Sequence, residues 1–266
     1  MASKRMNSPT QVLTTAVFAA TQLAVRRADT AAALKDNLET HARAMATAAA
    51  AGVDVMVCPE LTLTGYELDL LDNLALALDT PLLLALSDAA QQHQLTALVG
   101  APIAIPGDKP RIGCIILHPD GTRSAYAKQY LHASENNHAS PGEPGVQTLR
   151  VHDAVCAPAI CYDTEHRAHA RGAREAGASA YLAGVLWSEK GYAQDAATLA
   201  GHARELGLLA VLANHGAPSG GYQSAGQSAI WAPDGSLIAC APPCGNALVI
   251  AQAKTGQWQG TALSFA

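Results

Sequence analysis

Ala154-Val155-Cys156-Ala157-Pro158-Ala159-Ile160, followed at once by Cys161-Tyr162-Asp163, is the stretch on which the fold turns. Seven small or apolar residues in a row read as a strand buried on both faces of a sheet. A thiol and a carboxylate stand where that strand stops. Two other stretches repeat the arrangement. Residues 53–58 form a short apolar run that ends in Pro59-Glu60, and residues 122–127 lead into Lys128-Gln129-Tyr130-Leu131. Reactive side chains in α/β sheets commonly sit at such strand ends, where a rigid element aims them into a crevice.

Outward from these strands, helix and strand signals alternate. Residues 13–20 read as a first strand. Thr30 caps a helix that runs to about Ala51, with Leu34, Leu38, Met45 and Ala49 on one face and Gly52 as its stop. Helices are expected over 81–93, 168–176 and 193–206, the last stopped by Gly207. Strands are expected over 95–103, 113–118, 178–183 and 208–213. Pro119-Asp120-Gly121 and Pro233-Asp234-Gly235 are turn signals, the second within a strand-rich tail over 228–250. No repeat or linker interrupts this order, so residues 1–266 read as a single α/β domain.

Composition narrows the function. The chain has 266 residues, of which 49% are hydrophobic and 15% charged, a balance that excludes intrinsic disorder. About a fifth of the residues are Ala, a helix-favouring composition. The net charge is −5 and aromatics are 5%, so neither a basic stripe for a duplex nor a stacking surface for single strands exists. No nucleic-acid partner is expected. The apolar region 68–86 is broken by Asp69, Asp72, Asp79 and Pro81, so no membrane partner is expected either. Lys4 and Arg5 precede a semi-apolar stretch that superficially resembles a signal peptide. Thr14, Thr15, Thr21 and Gln22 interrupt it, and no small-residue cleavage site follows. Residues 1–10 are therefore expected to be a flexible leader, with Met6 a possible natural start. Cys58, Cys114, Cys156, Cys161, Cys240 and Cys244 show no disulfide framework and no C-x2-C metal pair, which fits reduced thiols in a cytoplasmic protein.

Glu60, Lys128 and Cys161 together supply a carboxylate, an ammonium and a thiol. That set is complete for acyl transfer: the thiol attacks, the carboxylate takes and returns the proton, and the ammonium stabilises the oxyanion. A neighbouring Lys favours the thiolate, and Glu60 accepts a proton near neutral pH only if burial raises its pKa against Lys128. Cys161 and Glu60 are thus expected to titrate as a coupled unit. Each residue also has a plain structural reading: a packing thiol, a loop carboxylate, a strand-end lysine.

The three segments resemble the nitrilase, or carbon–nitrogen hydrolase, superfamily. The likeness rests on Cys58-Pro59-Glu60-Leu61-Thr62-Leu63-Thr64-Gly65-Tyr66, on Lys128-Gln129-Tyr130-Leu131 and on Ala159-Ile160-Cys161-Tyr162-Asp163, in that order. It extends from near Leu13 to near Ile250. It implies a four-layer α-β-β-α sandwich of two mixed β-sheets flanked by helices. It implies Cys161 as nucleophile, Glu60 as general base and acid, Lys128 as oxyanion holder and the Tyr162 backbone N–H as a second oxyanion donor. A second glutamate is implied after the Lys segment; Glu135 fits best, with Glu143 as competitor. Tyr66 and Trp187 are candidate substrate-pocket walls, with core packing as the alternative for each. Asp163 is expected to anchor the nucleophile turn. His132, His138, His166, His169 and His215 lie near these segments. No local signature of a Cys–His hydrolase surrounds Cys161, and His166 with His169, Cys240 with Cys244 and Cys156 with Cys161 are the spacings that could suggest a metal pair.

The resemblance implies hydrolysis of a small amide or N-carbamoyl compound through a cysteine thioester, an amidase-type reaction, with no cofactor and no metal. It implies a homodimer or higher homo-oligomer. The alternatives are a nitrile hydrolase and a non-catalytic ligand-binding member of the fold. Thr164-Glu165-His166-Arg167 and Asn136-Asn137-His138 depart from the family pattern, and both fall where substrate is expected.

Overall fold

The computed structural model describes residues 14–266. The expected leader over 1–10 lies outside the described residues. The elements in chain order are β1 (Phe18–Gln22), α1 (Ala31–Ala50), β2 (Val55–Val57), a short α2 (Leu71–Leu74), α3 (Leu84–His93), β3 (Thr96–Ile103), β4 (Arg111–Leu117), β5 (Arg123–Ala127), β6 (Leu149–Val151), β7 (Ala154–Ile160), α4 (Arg167–Glu175), β8 (Ala180–Gly184), α5 (Tyr192–Leu206), β9 (Leu209–Ala213), β10 (Ala229–Trp231), β11 (Leu237–Cys240), β12 (Ala247–Lys254) and β13 (Gln257–Ser264).

They form two mixed sheets. One has the order β13-β12-β1-β2-β3-β4-β5, the other β11-β10-β9-β8-β7-β6. The central strands β1, β2 and β3 run parallel, as do β7, β8 and β9, and each trio is flanked by antiparallel strands. Alternation along β1 and β2 places Phe18, Ala20, Val55 and Val57 on the inner face. There they meet Ile160, Leu182, Val211 and Ile230 of the other sheet. The intervening Ala19 and Met56 face outward onto Ala44, Met45, Leu86 and Ala90 of α1 and α3. On the far side, Ala159, Tyr181 and Leu212 cover Ala170, Ala173, Leu199 and Ala203 of α4 and α5. Both faces of each central sheet are therefore apolar, and the layers follow as α-β-β-α.

Several elements match the expected local chemistry. Thr30 caps α1 by accepting a bond from Ala33 N at 3.1 Å, and Gly207, with φ +66°, ends α5. The structure corrects the first strand, expected over 13–20. It starts at Phe18, because Thr14 and Thr15 bond instead to Asp153. It continues through Thr21 and Gln22, which are fully buried. Gln22 Nε2 donates to the Pro242 and Gly245 carbonyls, and its Oε1 accepts from Ser228 N. A polar side chain can end a core strand when backbone groups brought beside it by the fold satisfy it. The buried face of α1 also differs from the expected Leu34/Leu38/Met45/Ala49 stripe. It runs through Ala33, Asn37, His41, Ala44, Met45 and Ala48. Strands β6 and β13 were not among the expected elements.

Candidate active site

Glu60 follows β2 by three residues and sits on a turn wedged between the sheets. The turn is tight: a Cβ on Gly100 would lie 2.0 Å from Pro59 O, and one on Gly184 2.4 Å from Cys58 O. Both positions therefore require glycine for close approach. Leu61 takes φ +52° to continue the turn. Asn37 Nδ2 donates to Leu63 O at 3.0 Å, and His41 Nε2 is 3.1 Å from Thr62 Oγ1. These polar residues explain why α1 buries its Asn37–His41 face. His215, just beyond β9, fixes the turn from the other side, with Nε2 2.7 Å from Glu60 O.

Cys161 follows β7 directly and opens a 3-10 turn over Cys161–Glu165. Its φ is +43°, a left-handed conformation that costs a non-glycine residue about 1–3 kcal/mol. The surroundings hold it there. Asp163 Oδ2 accepts from Ile160 N at 2.9 Å, and Thr164 Oγ1 donates to Cys161 O at 2.7 Å. Asp163 Oδ1 also accepts from Gln129 N and Tyr130 N. One buried carboxylate thus clamps the thiol's turn to the backbone that follows Lys128. The Tyr162 N–H lies in the first turn of the 3-10 segment, where no intrahelical acceptor exists.

Lys128 lies between two carboxylates. Its Nζ donates to Glu60 Oε1 at 2.7 Å and to Glu135 Oε1 at 2.6 Å, with all three side chains inaccessible to solvent. Glu135 Oε1 also accepts from Tyr66 Oη at 2.6 Å, and Oε2 accepts from His132 N at 2.7 Å. Glu60 Oε2 is buried without a satisfied hydrogen bond, and the Cys161 thiol lies close enough to interact with this carboxyl. Glu143 is elsewhere: exposed, 2.6 Å from an Arg111 guanidinium nitrogen. The geometry brings Glu60, Lys128, Glu135 and Cys161 together and leaves Glu143 out.

Electrostatics follow from this burial. Desolvation pushes the Glu60 carboxyl up to about 7, with Glu135 adding to the rise and Lys128 opposing it. Burial works to lower Lys128, but the charges of Glu60, Cys161 and Glu135 outweigh it and hold the ammonium protonated. Burial and the Glu60 charge drive the Cys161 thiol well above its ordinary value, against the pull of Lys128. Lys128 does pull toward the thiolate, as expected, but burial and the Glu60 charge outweigh it. Two glutamates already occupy that ammonium.

A cavity of about 170 Å³ opens onto the thiol, and Tyr66, Glu135, Tyr162, Trp187 and Asp195 share its wall with Cys161. Trp187 lines the cavity and also packs in the outer core. Its turn is held by Asn214, whose Oδ1 accepts from Trp187 N at 2.9 Å and whose Nδ2 donates to Trp187 O. Of the remaining candidates, His166 stacks on Tyr130 at 3.8 Å, while His169 bonds Tyr126 and Tyr181, so the two do not converge on one point. Among the described residues, no group of three or more His, Cys, Asp or Glu is arranged to hold a metal. No helix among them is long and apolar enough to cross a membrane. Sequence reasoning missed Ser188, Asp195 and Tyr222 on the cavity wall. Asp195 sits in the first turn of α5, where an acidic residue reads as a dipole partner and gives no other signal.

Comparisons with known proteins agree with this architecture. The chain is similar to the amidase from Nesterenkonia AN1, of the nitrilase superfamily. A cysteine-to-serine mutant of that protein superposes with a TM-score of 0.81 at 21% identity, covering 91% of this chain and 93% of that one. A cysteine-to-alanine mutant in complex with butyramide gives 0.80 at 21% identity, covering 89% and 90%. No curated protein matches the chain in sequence. The carbon-nitrogen hydrolase family matches residues 16–262, nearly the whole chain. The chain belongs to the carbon–nitrogen hydrolase family.

Proposed function

We propose that this protein hydrolyses the C–N bond of a small amide or N-carbamoyl compound through a thioester on Cys161. The observation that carries the reading is the buried Glu60–Lys128–Glu135 bridge beneath a cavity that exposes the Cys161 thiol. The Nesterenkonia amidase, observed with butyramide, supports an amide over other acyl donors.

The chemistry follows from the placement. Glu60 Oε2 takes the thiol proton as sulfur bonds to the carbonyl carbon. The carbonyl oxygen becomes an oxyanion, held by Lys128 Nζ and the Tyr162 N–H. The C–N bond then breaks, and Glu60 returns its proton to the leaving nitrogen. Ammonia or an amine departs and a thioester remains. Water attacks the thioester carbon and gives its proton to Glu60. Collapse breaks the C–S bond, and the sulfur regains its proton. A carboxyl group near pH 7 suits both directions of transfer. Glu135 and the Tyr66 hydroxyl orient Lys128.

Ammonia release from short amides, N-carbamoyl compounds and nitriles tests the reading. Release from an amide or carbamoyl compound that vanishes in Cys161→Ala is expected. Release from nitriles alone, or release that survives the substitution, would overturn it.

A further inference from the structure

The cavity over Cys161 has an acidic wall. Glu165, at the end of the 3-10 turn, and Asp195, in the first turn of α5, both line it. Neither forms a salt bridge or a side-chain hydrogen bond among the described residues. No Lys or Arg lines the cavity, and His132 is its only side chain able to gain positive charge. Burial and the charge of Glu165 raise the Asp195 carboxyl above its ordinary value.

The Asp195 carboxylate, half-buried without a partner, costs free energy unless a ligand neutralises it, and the solvent-exposed Glu165 adds like charge on the same wall. The cavity is a ligand site on independent grounds. The cavity reaches the Cys161 thiol, and the buried, unpartnered Glu60 Oε2 lies behind that thiol, close enough to interact with it. Aromatic side chains complete the enclosure. Tyr162, Trp187 and Tyr222 line the same space, and ring faces attract cations. Acidic groups and aromatic rings together favour positive charge and disfavour a carboxylate.

Resting on the C–N hydrolase reading above, we propose that the substrate carries a cationic nitrogen, an ammonium or a guanidinium, at the end remote from the scissile C–N bond. Asp195 and Glu165 receive it. The specificity-determining step is then an ion pair formed on binding, and the reaction at Cys161 is unchanged. Anionic amides are excluded by repulsion.

Ammonia release from four amides of equal length tests this, with the far end neutral, carboxylate, ammonium or guanidinium. The expected result is a kcat/KM higher by about tenfold or more for a cationic member over the neutral one, as a charge-assisted bond provides. The better of the two cations identifies the group. Asp195→Asn and Glu165→Gln each lower the cationic-to-neutral ratio by raising KM for the cation. Asp195→Lys shifts preference toward the carboxylate-ended amide. Added salt lowers the ratio in wild type. Equal or better turnover of the neutral or anionic amide, with release still dependent on Cys161, would overturn the cation inference and leave the hydrolase reading standing. Release from none of the four, nor from N-carbamoyl analogues with the same ends, would overturn both.

Discussion

Tyr126 Oη donates a 2.7 Å hydrogen bond to Asp163 Oδ2, and both side chains are buried. Through this bond the strand that leads to Lys128 is tied to the turn that presents Cys161. Asp163→Ala strands three backbone donors, those of Ile160, Gln129 and Tyr130. Each costs about 1–3 kcal/mol when left unpaired in the interior. Tyr126→Phe removes only one bond, at about 1 kcal/mol. The expected order, in both melting temperature and kcat, is wild type, Tyr126→Phe, then Asp163→Ala by a wide margin. A melting curve and a rate for each variant check it. Equal rates in all three would show that the clamp does not position the thiol.

The pH–rate profile follows from Glu60. Its carboxyl titrates at about 7, and only the ionised form accepts the thiol proton. The value of kcat/KM is expected to rise as pH increases through about 7 and then level off. A profile flat from pH 5 to 9, values well outside the coupled step, would contradict this assignment. Glu60→Gln keeps the shape but cannot move a proton, so activity falls by about 10²-fold or more.

Stability has its own pH dependence, with competing signs. His41 and His215 are pushed down to about 4 by burial. An unfolded histidine titrates near 6.5. The unfolded chain therefore binds more protons between those values, and the stability these residues contribute is lost as pH falls from about 6.5 toward 4. Glu60 acts oppositely. Its folded pKa is raised, so the folded chain holds the extra proton, and acid favours folding over about 4.5 to 7. Each shift is worth about 3 kcal/mol, so two histidines outweigh one glutamate. The melting temperature is expected to fall between pH 6.5 and 4. A rise over that window would reverse the assignment.

The second glutamate is separable by substitution. Glu135→Gln removes the charge next to Lys128 and weakens the bonds from Lys128 Nζ, Tyr66 Oη and His132 N. Activity is expected to fall by about two orders of magnitude, as when one electrostatic partner of a developing charge is lost. Glu143→Gln breaks only an exposed pair with Arg111, worth about 0–1 kcal/mol, and leaves the rate within twofold, on the order of assay scatter. A large effect at Glu143 would redraw the site.

Much of this was legible in the chain. The apolar runs before Glu60 and Cys161 marked buried strands, because a strand covered on both faces has no polar side to show, whereas Lys128 follows the edge strand β5, whose Arg123 and Ser124 break any such run. Thr30 and Gly207 fixed helix ends by local chemistry alone. What escaped depends on long-range partners. Gln22 reads as polar punctuation until Pro242, Gly245 and Ser228 arrive beside it from more than 200 residues away. Asn37 and His41 fall outside the apolar stripe expected for α1, yet they brace the Glu60 turn. The balance of charges on the thiol depends on the same kind of partner. Local reasoning pairs Lys128 with Cys161, and only the folded arrangement shows two glutamates on that ammonium.

The protonated resting thiol sets how the protein ages. Oxidants and alkylating reagents attack thiolates, and burial together with the Glu60 charge keeps Cys161 in the other form. Slow loss of activity to peroxide or an alkylating reagent is the expected behaviour of the empty site, read by inactivation rates with and without a bound amide. Durability and catalysis draw on one arrangement of charges.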